Sequence, residues 1–166
     1  SYIVKKAELV FNPLHTVIHS TVKVGTSESL NASYSPVLGR HSDDFKKNVA
    51  DYVKPFAGDE SAGDAFKKEY SKQVGFVSRD SSSLEYAKQM STAYMYWKLI
   101  YQKMIYADCK KYGFSFKDVY NRWNVNYNNG IEKKHPDWKR QIYDYDRNHQ
   151  AGGHCLGANI YLDDFF

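Results

Sequence analysis

One segment constrains the fold before any other. From Leu84 to Tyr112 the apolar residues recur at helical spacing, placing Leu84, Ala87, Met90, Tyr94, Trp97, Tyr101, Met104 and Ile105 on one face. Ser82-Ser-Leu-Glu85 opens this run as a capping-box pattern, and Gly113 stands where a helix stops in a left-handed residue. At about 1.5 Å per residue the helix spans roughly 40 Å. The aromatic stripe predicts that it is the core helix of the fold.

The segments on either side have a different pattern. Residues 2 to 38 read as β structure: Tyr2-Ile-Val, Ala7-Glu-Leu-Val-Phe, and Thr16 to Val24, then a turn over Gly25 to Ser29 and a return strand over Leu30 to Val37. Asn12-Pro13 marks a turn ahead of His15. Beyond Ser42, Asp43 and Asp44 suit a helix N-terminus, and Phe45, Val49, Tyr52 and Val53 keep helical spacing as far as Pro55. A further helix is expected over Glu60 to Gln73, another over Ser115 to Trp123, a turn at Tyr127-Asn-Asn-Gly130, and a helix from Pro136 to about Ile142. The fold class is therefore α+β: a small antiparallel sheet from the N-terminal part, packed on a long central helix and several shorter ones. A chain of 166 residues is long enough to bury a core as one domain.

The net charge of +4 comes from lysines interleaved with acidic residues, which suits a solvated surface with a weak attraction to anionic ones. No apolar run reaches the roughly 20 residues that span a bilayer, and no signal-peptide pattern opens the chain. Ser1 in place of an initiator methionine suggests a processed form or a piece of a longer polypeptide. Two cysteines, Cys109 and Cys155, do not make a disulfide scaffold. Cys109, in the last turns of the long helix, is expected to be structural. Cys155, reached through Gly152-Gly153-His154, has the setting of a nucleophile at a helix N-terminus, where positive partial charge and free N–H groups stabilise a thiolate.

His19-Ser-Thr-Val-Lys-Val-Gly25 and the late cysteine together resemble circularly permuted NlpC/P60 proteins, the papain-like group that includes the lecithin:retinol-acyltransferase-like and PPPDE families. Their pattern is His-x-x-(Ile/Val)-x-(Val/Ile)-Gly on a first strand, with the cysteine following late in the chain. The resemblance implies Cys155 as nucleophile, His19 as general base, and a polar third member on the next strand, with Ser33, Ser35 and His41 as candidates and Ser35 preferred. His154, Tyr161 and Tyr34 are the expected substrate contacts, and Tyr143 and Tyr145 also fall near the tail. This sequence departs from the family by carrying His154 before the cysteine and Gly157-Ala158 where an aromatic usually follows. His15, four residues before His19, is an alternative base, since i and i+4 share one face of a strand. The implied reaction is attack on an amide or ester through an acyl-enzyme, with no cofactor. Family members act on peptidoglycan peptides, lipids or protein conjugates, and many bacterial ones are secreted antibacterial toxins. The resemblance thus implies secretion, delivery into a target-cell periplasm, and an immunity protein as partner.

Two other classes fit parts of the sequence. Asp146-Arg-Asn-His149 resembles the active-site loop of His-Me finger nucleases, with His149 as base and Asp146 and Asn159 as metal ligands. Only seventeen residues follow His149, too few for the supporting strand and helix of that fold, so nucleic acid is not the favoured partner. A non-catalytic binding module would instead use the many tyrosines and asparagines as contact area.

Overall fold

The computed structural model describes residues 2–38, 52–70 and 74–143. They form an α+β architecture divided into two compact units, one comprising the described residues up to Ser91 and the other starting at Thr92. In the first unit the order is α1 (Tyr2–Phe11), β1 (Val17–Ile18), α2 (Thr26–Ser29), β2 (Ser33–Tyr34), β3 (Lys54–Ala57), α3 (Glu60–Tyr70) and β4 (Val74–Ser78). The long helix α4 (Ser81–Tyr112) begins in this unit and continues into the second, where a π-helical turn (Lys117–Arg122), α5 (Trp123–Ile131) and a 3-10 turn (Pro136–Trp138) follow.

The sheet runs β1-β2-β3-β4, and it is mixed rather than antiparallel. β1 and β2 are parallel, with Val17 opposite Ser33 and Ile18 opposite Tyr34; β2 and β3 are antiparallel; β3 and β4 are parallel. The expected return strand over Leu30 to Val37 is therefore a two-residue strand running the same way as its partner. A parallel pair needs a crossover of a dozen or so residues, and residues 19–32 supply one through the helical turn α2. The second parallel pair is a β-α-β unit, with α3 as its crossover.

The first segment, expected as β, is a helix. Lys5-Lys6-Ala7-Glu8-Leu9 is a run of good helix formers that outweighs the flanking Ile and Val. It ends at Asn12, whose φ of 43° is a left-handed C′ conformation, with the Asn12 N–H bonded to the Glu8 carbonyl at 2.9 Å and Pro13 barring continuation. The expected helix ending at Pro55 lies mostly outside the described residues, and Lys54–Ala57 is strand β3. α3 matches the expected Glu60 helix over Glu60–Tyr70, and the remainder of that expectation, to Gln73, lies outside the described residues. Tyr127 to Gly130, expected as a turn, continues helix α5, and the expected helix from Pro136 is a single 3-10 turn.

Two apolar clusters hold the first unit. Ile18, Tyr34, Ala57 and Leu84 form one, flanked by Val22, Leu30 and Ala32. Phe56, Ala62 and Phe66 form the other against Val17, which seats α3 on the sheet. Gly63 permits that approach, because a Cβ there would lie 3.2 Å from the Phe56 ring.

The long helix is as expected in extent but not in the face it buries. Tyr94, Trp97, Tyr101 and Met104 are 54–61% exposed, whereas Glu85, Gln89 and Gln102 are buried. The buried positions serve backbone groups: the Gln89 amide donates to the Val22 carbonyl at 2.9 Å and the Gln102 amide to the Tyr143 carbonyl at 2.6 Å. The capping box is also replaced. Asp80 caps the helix by accepting the Ser82 N–H at 2.9 Å and the Ser83 hydroxyl, and Glu85 turns inward. Gly113, with φ 73°, ends the helix as the sequence indicates.

Candidate functional site

His19 is the first residue after β1, and its position is set by the parallel pairing of β1 with β2. Ser33 N–H bonds to the Thr16 carbonyl and Ser35 N–H to the Ile18 carbonyl, at 2.9 and 3.0 Å, which places the Ser35 carbonyl beside the imidazole. His19 Nδ1 lies 2.6 Å from that oxygen. A carbonyl can only accept, so Nδ1 carries a proton, and in the neutral form of the ring the lone pair is on Nε2. Phe66 of α3 supports the ring from the side, with centroids 5.8 Å apart at 32°.

His19 and Ser35 thus lie side by side, joined by a different atom from the one expected. The Ser35 side chain is buried, and the backbone carbonyl rather than the hydroxyl orients the histidine. Tyr34, expected as a substrate contact, is fully buried in the core. Burial, and after it the nearby Glu85 carboxylate, push its hydroxyl well above the usual value, and this hydroxyl has no hydrogen-bond partner among the described residues. Cys155, His154, Tyr161, His41, Tyr145, His149, Asp146 and Asn159 lie outside the described residues. Tyr143 is tied to the second unit, its hydroxyl 2.7 Å from Gln141 Oε1. Cys109 is buried with a free thiol, in keeping with a structural role.

His15 does not share a strand face with His19, because the strand is confined to Val17 and Ile18, two of the three residues between them. It lines a polar pocket of about 580 Å³ with Glu8, Asn12, Asn31, Ser33 and Asp59. Asn31, Ser33 and Asp59 also line an adjoining pocket of about 630 Å³ that reaches Glu28, Arg79 and Asp80. Asp59 is the N-cap of α3. The Ser61 hydroxyl at 2.5 Å and the Ala62 N–H at 2.9 Å hold its carboxyl below the usual range, with His15 adding a smaller pull. The sequence signal for this residue was present, an Asp three positions before the first buried residue of an amphipathic helix. Among the described residues no group of three His, Cys, Asp or Glu side chains is placed to hold a metal ion.

Glu85 is the residue that sequence reasoning placed in the wrong role. Its carboxylate, fully buried, accepts the Gly25 N–H at 2.7 Å, the Ser27 N–H at 2.8 Å and the Ser27 hydroxyl at 2.6 Å. Gly25, with φ 84°, turns its amide into this clamp. The crossover that follows His19 is thereby fixed to the start of α4, and the β1–β2 pair that aims the imidazole is fixed with it. No protein-family model matches the chain, and no curated protein matches it either.

Proposed function

We propose that this chain is a cysteine hydrolase of permuted papain-like order, with Cys155 as nucleophile and His19 as general base. The observation that carries the reading is the 2.6 Å bond from His19 Nδ1–H to the Ser35 carbonyl. It fixes the tautomer in which Nε2 accepts a proton, the arrangement a catalytic histidine requires from its orienting partner. In this reading His19 Nε2 takes the Cys155 thiol proton, the thiolate attacks an amide or ester carbonyl, and the protonated imidazole returns the proton to the leaving group. Water then resolves the acyl-enzyme with the same histidine as base. The chain order, histidine strand first and cysteine late, also supports the reading, as does the burial of Cys109, which removes it as a competing nucleophile. The substrate class is a cell-wall peptide or a lipid ester, and the setting that of a secreted antibacterial effector with an immunity protein.

Hydrolysis of a p-nitrophenyl ester and of peptidoglycan fragments, with and without EDTA, tests the proposal. Activity that ignores EDTA and is lost in both Cys155→Ala and His19→Ala is the expected result. Activity that needs a divalent ion and survives Cys155→Ala would overturn it in favour of the metal-dependent nuclease chemistry of the His149 segment.

A further inference from the structure

All three tryptophans of the chain, Trp97, Trp123 and Trp138, fall within residues 92–143, and each is more than half exposed. The same stretch holds ten Lys and Arg against four Asp and Glu, a net charge of +6, while the remainder of the chain holds thirteen against fifteen. The net positive charge and all three tryptophans thus fall in one part of the chain, where the chain-wide +4 suggested only diffuse solvation.

Part of this surface is ordered along one helix. Tyr94, Trp97, Tyr101 and Met104 of α4 are 60, 54, 61 and 59% exposed. Their spacing of three, four and three residues keeps them on one stripe, about 15 Å long at the helical rise. Lys98 borders the stripe, its ammonium 3.9 Å above the Tyr94 ring. Asp108, one turn beyond Met104, closes it.

We infer that this stripe is a docking surface for an anionic lipid bilayer, lying at the headgroup level with Trp97 and Tyr101 as its anchors. Tryptophan and tyrosine favour the boundary between headgroups and acyl chains, because an apolar ring body and a polar edge suit the two sides of it. Lys98 beside them, whose ammonium also lies 3.4 Å from Gln141 Oε1, adds positive charge at the edge of the stripe. The net charge of +6 supplies the complementary field. No helix among the described residues is long and apolar enough to cross a membrane, so this docking is peripheral. The stripe suits lipid better than single-stranded nucleic acid, where each base needs an open ring face. Lys98 already covers one face of Tyr94, and Met104 has no ring, whereas interfacial insertion uses edges and apolar bodies. The inference rests on residues 92–143 alone and stands apart from the hydrolase chemistry.

Flotation of the full chain with vesicles tests it, using phosphatidylcholine alone and a mixture with phosphatidylglycerol, at low and moderate salt. Binding to the anionic vesicles only, weakened by salt, is expected. Trp97→Ser/Tyr101→Ser should lower it at least tenfold while the circular dichroism spectrum stays that of the native fold. Lys98→Ala should lower it roughly fivefold, and Cys155→Ala should bind as the native chain does, separating this result from the fate of the hydrolase proposal. Absence of binding to anionic vesicles overturns the inference. So does equal binding by the double variant, which would reduce the effect to bulk charge, and so does binding to an oligothymidylate in place of vesicles.

Discussion

Glu85→Ala should be among the most destabilising single substitutions in the first unit. The carboxylate accepts three hydrogen bonds, two from backbone N–H groups that stay fixed after its removal and one from the Ser27 hydroxyl, which can turn to another acceptor. A buried donor left without its acceptor costs about 1–3 kcal/mol, and bonds to a charged group lie toward the upper end. Water entering the vacated space recovers part of this, leaving a net loss of about 3–5 kcal/mol for the two amides together. At about 2–4 °C per kcal/mol for a chain of this size, the melting temperature falls by roughly 10 °C. Glu85→Gln isolates the electrostatic part: its carbonyl can keep both Ser27 bonds, but its amide then faces the Gly25 N–H, donor against donor, for a loss of about 1–2 kcal/mol. Urea unfolding followed by circular dichroism gives the stabilities, and hydrogen exchange at Gly25 and Ser27 reports the clamp itself. A loss under about 0.5 kcal/mol for Glu85→Ala, the size of an ordinary surface substitution, would refute the reasoning, as would equal losses for Ala and Gln.

Other expectations follow from the same geometry. Tyr34→Phe removes a buried hydroxyl that has no partner among the described residues, so it should leave stability unchanged or raise it by about 1 kcal/mol in urea titration. Gly58→Ala should cost about 2–3 kcal/mol by the same assay, because its φ is 127° and the added Cβ would lie 2.5 Å from Ser33 Oγ. Asp59 is held below its usual range in the folded state, so its contribution is complete above the unfolded carboxyl value and disappears as pH falls through the folded one. Asp59→Ala should therefore lower the urea midpoint at pH 6 and flatten its fall below pH 4, where the native chain loses the cap.

The long helix was legible because its signals are local: continuous helical spacing, hydroxyl and acidic residues at the start, and Gly113 at the stop. What its buried face does was not, because that depends on distant backbone. Glu85 and Gln89 are buried to satisfy residues 22–27, about 60 positions earlier, and no period in α4 announces such partners. β4 carries no local signal of its own, because a glycine inside a short apolar run weakens a strand pattern, and in the sheet Gly75 sits opposite Pro55 on β3. α1 was misread because Tyr2-Ile-Val and Leu9-Val-Phe suggest strands, while the lysines and alanine between them favour a helix. At the site, His19 and Ser35 were named from pattern, but the atom joining them was hidden by the expectation of an antiparallel hairpin. The parallel pairing puts a main-chain carbonyl, which every residue type carries, where a side chain was sought.

The pairing of His19 with Cys155 is tested most directly by the rate at which iodoacetamide alkylates Cys155, followed by mass spectrometry from pH 5 to 9 in the native chain and in His19→Ala. An imidazole that takes the thiol proton keeps Cys155 reactive well below the ordinary cysteine value of about 8.5. The account predicts fast labelling of Cys155 at pH 6, slow labelling of buried Cys109, and, in His19→Ala, a Cys155 profile that rises only toward that ordinary value. A native Cys155 that already follows the ordinary thiol profile, or one whose profile is the same in His19→Ala, would contradict it.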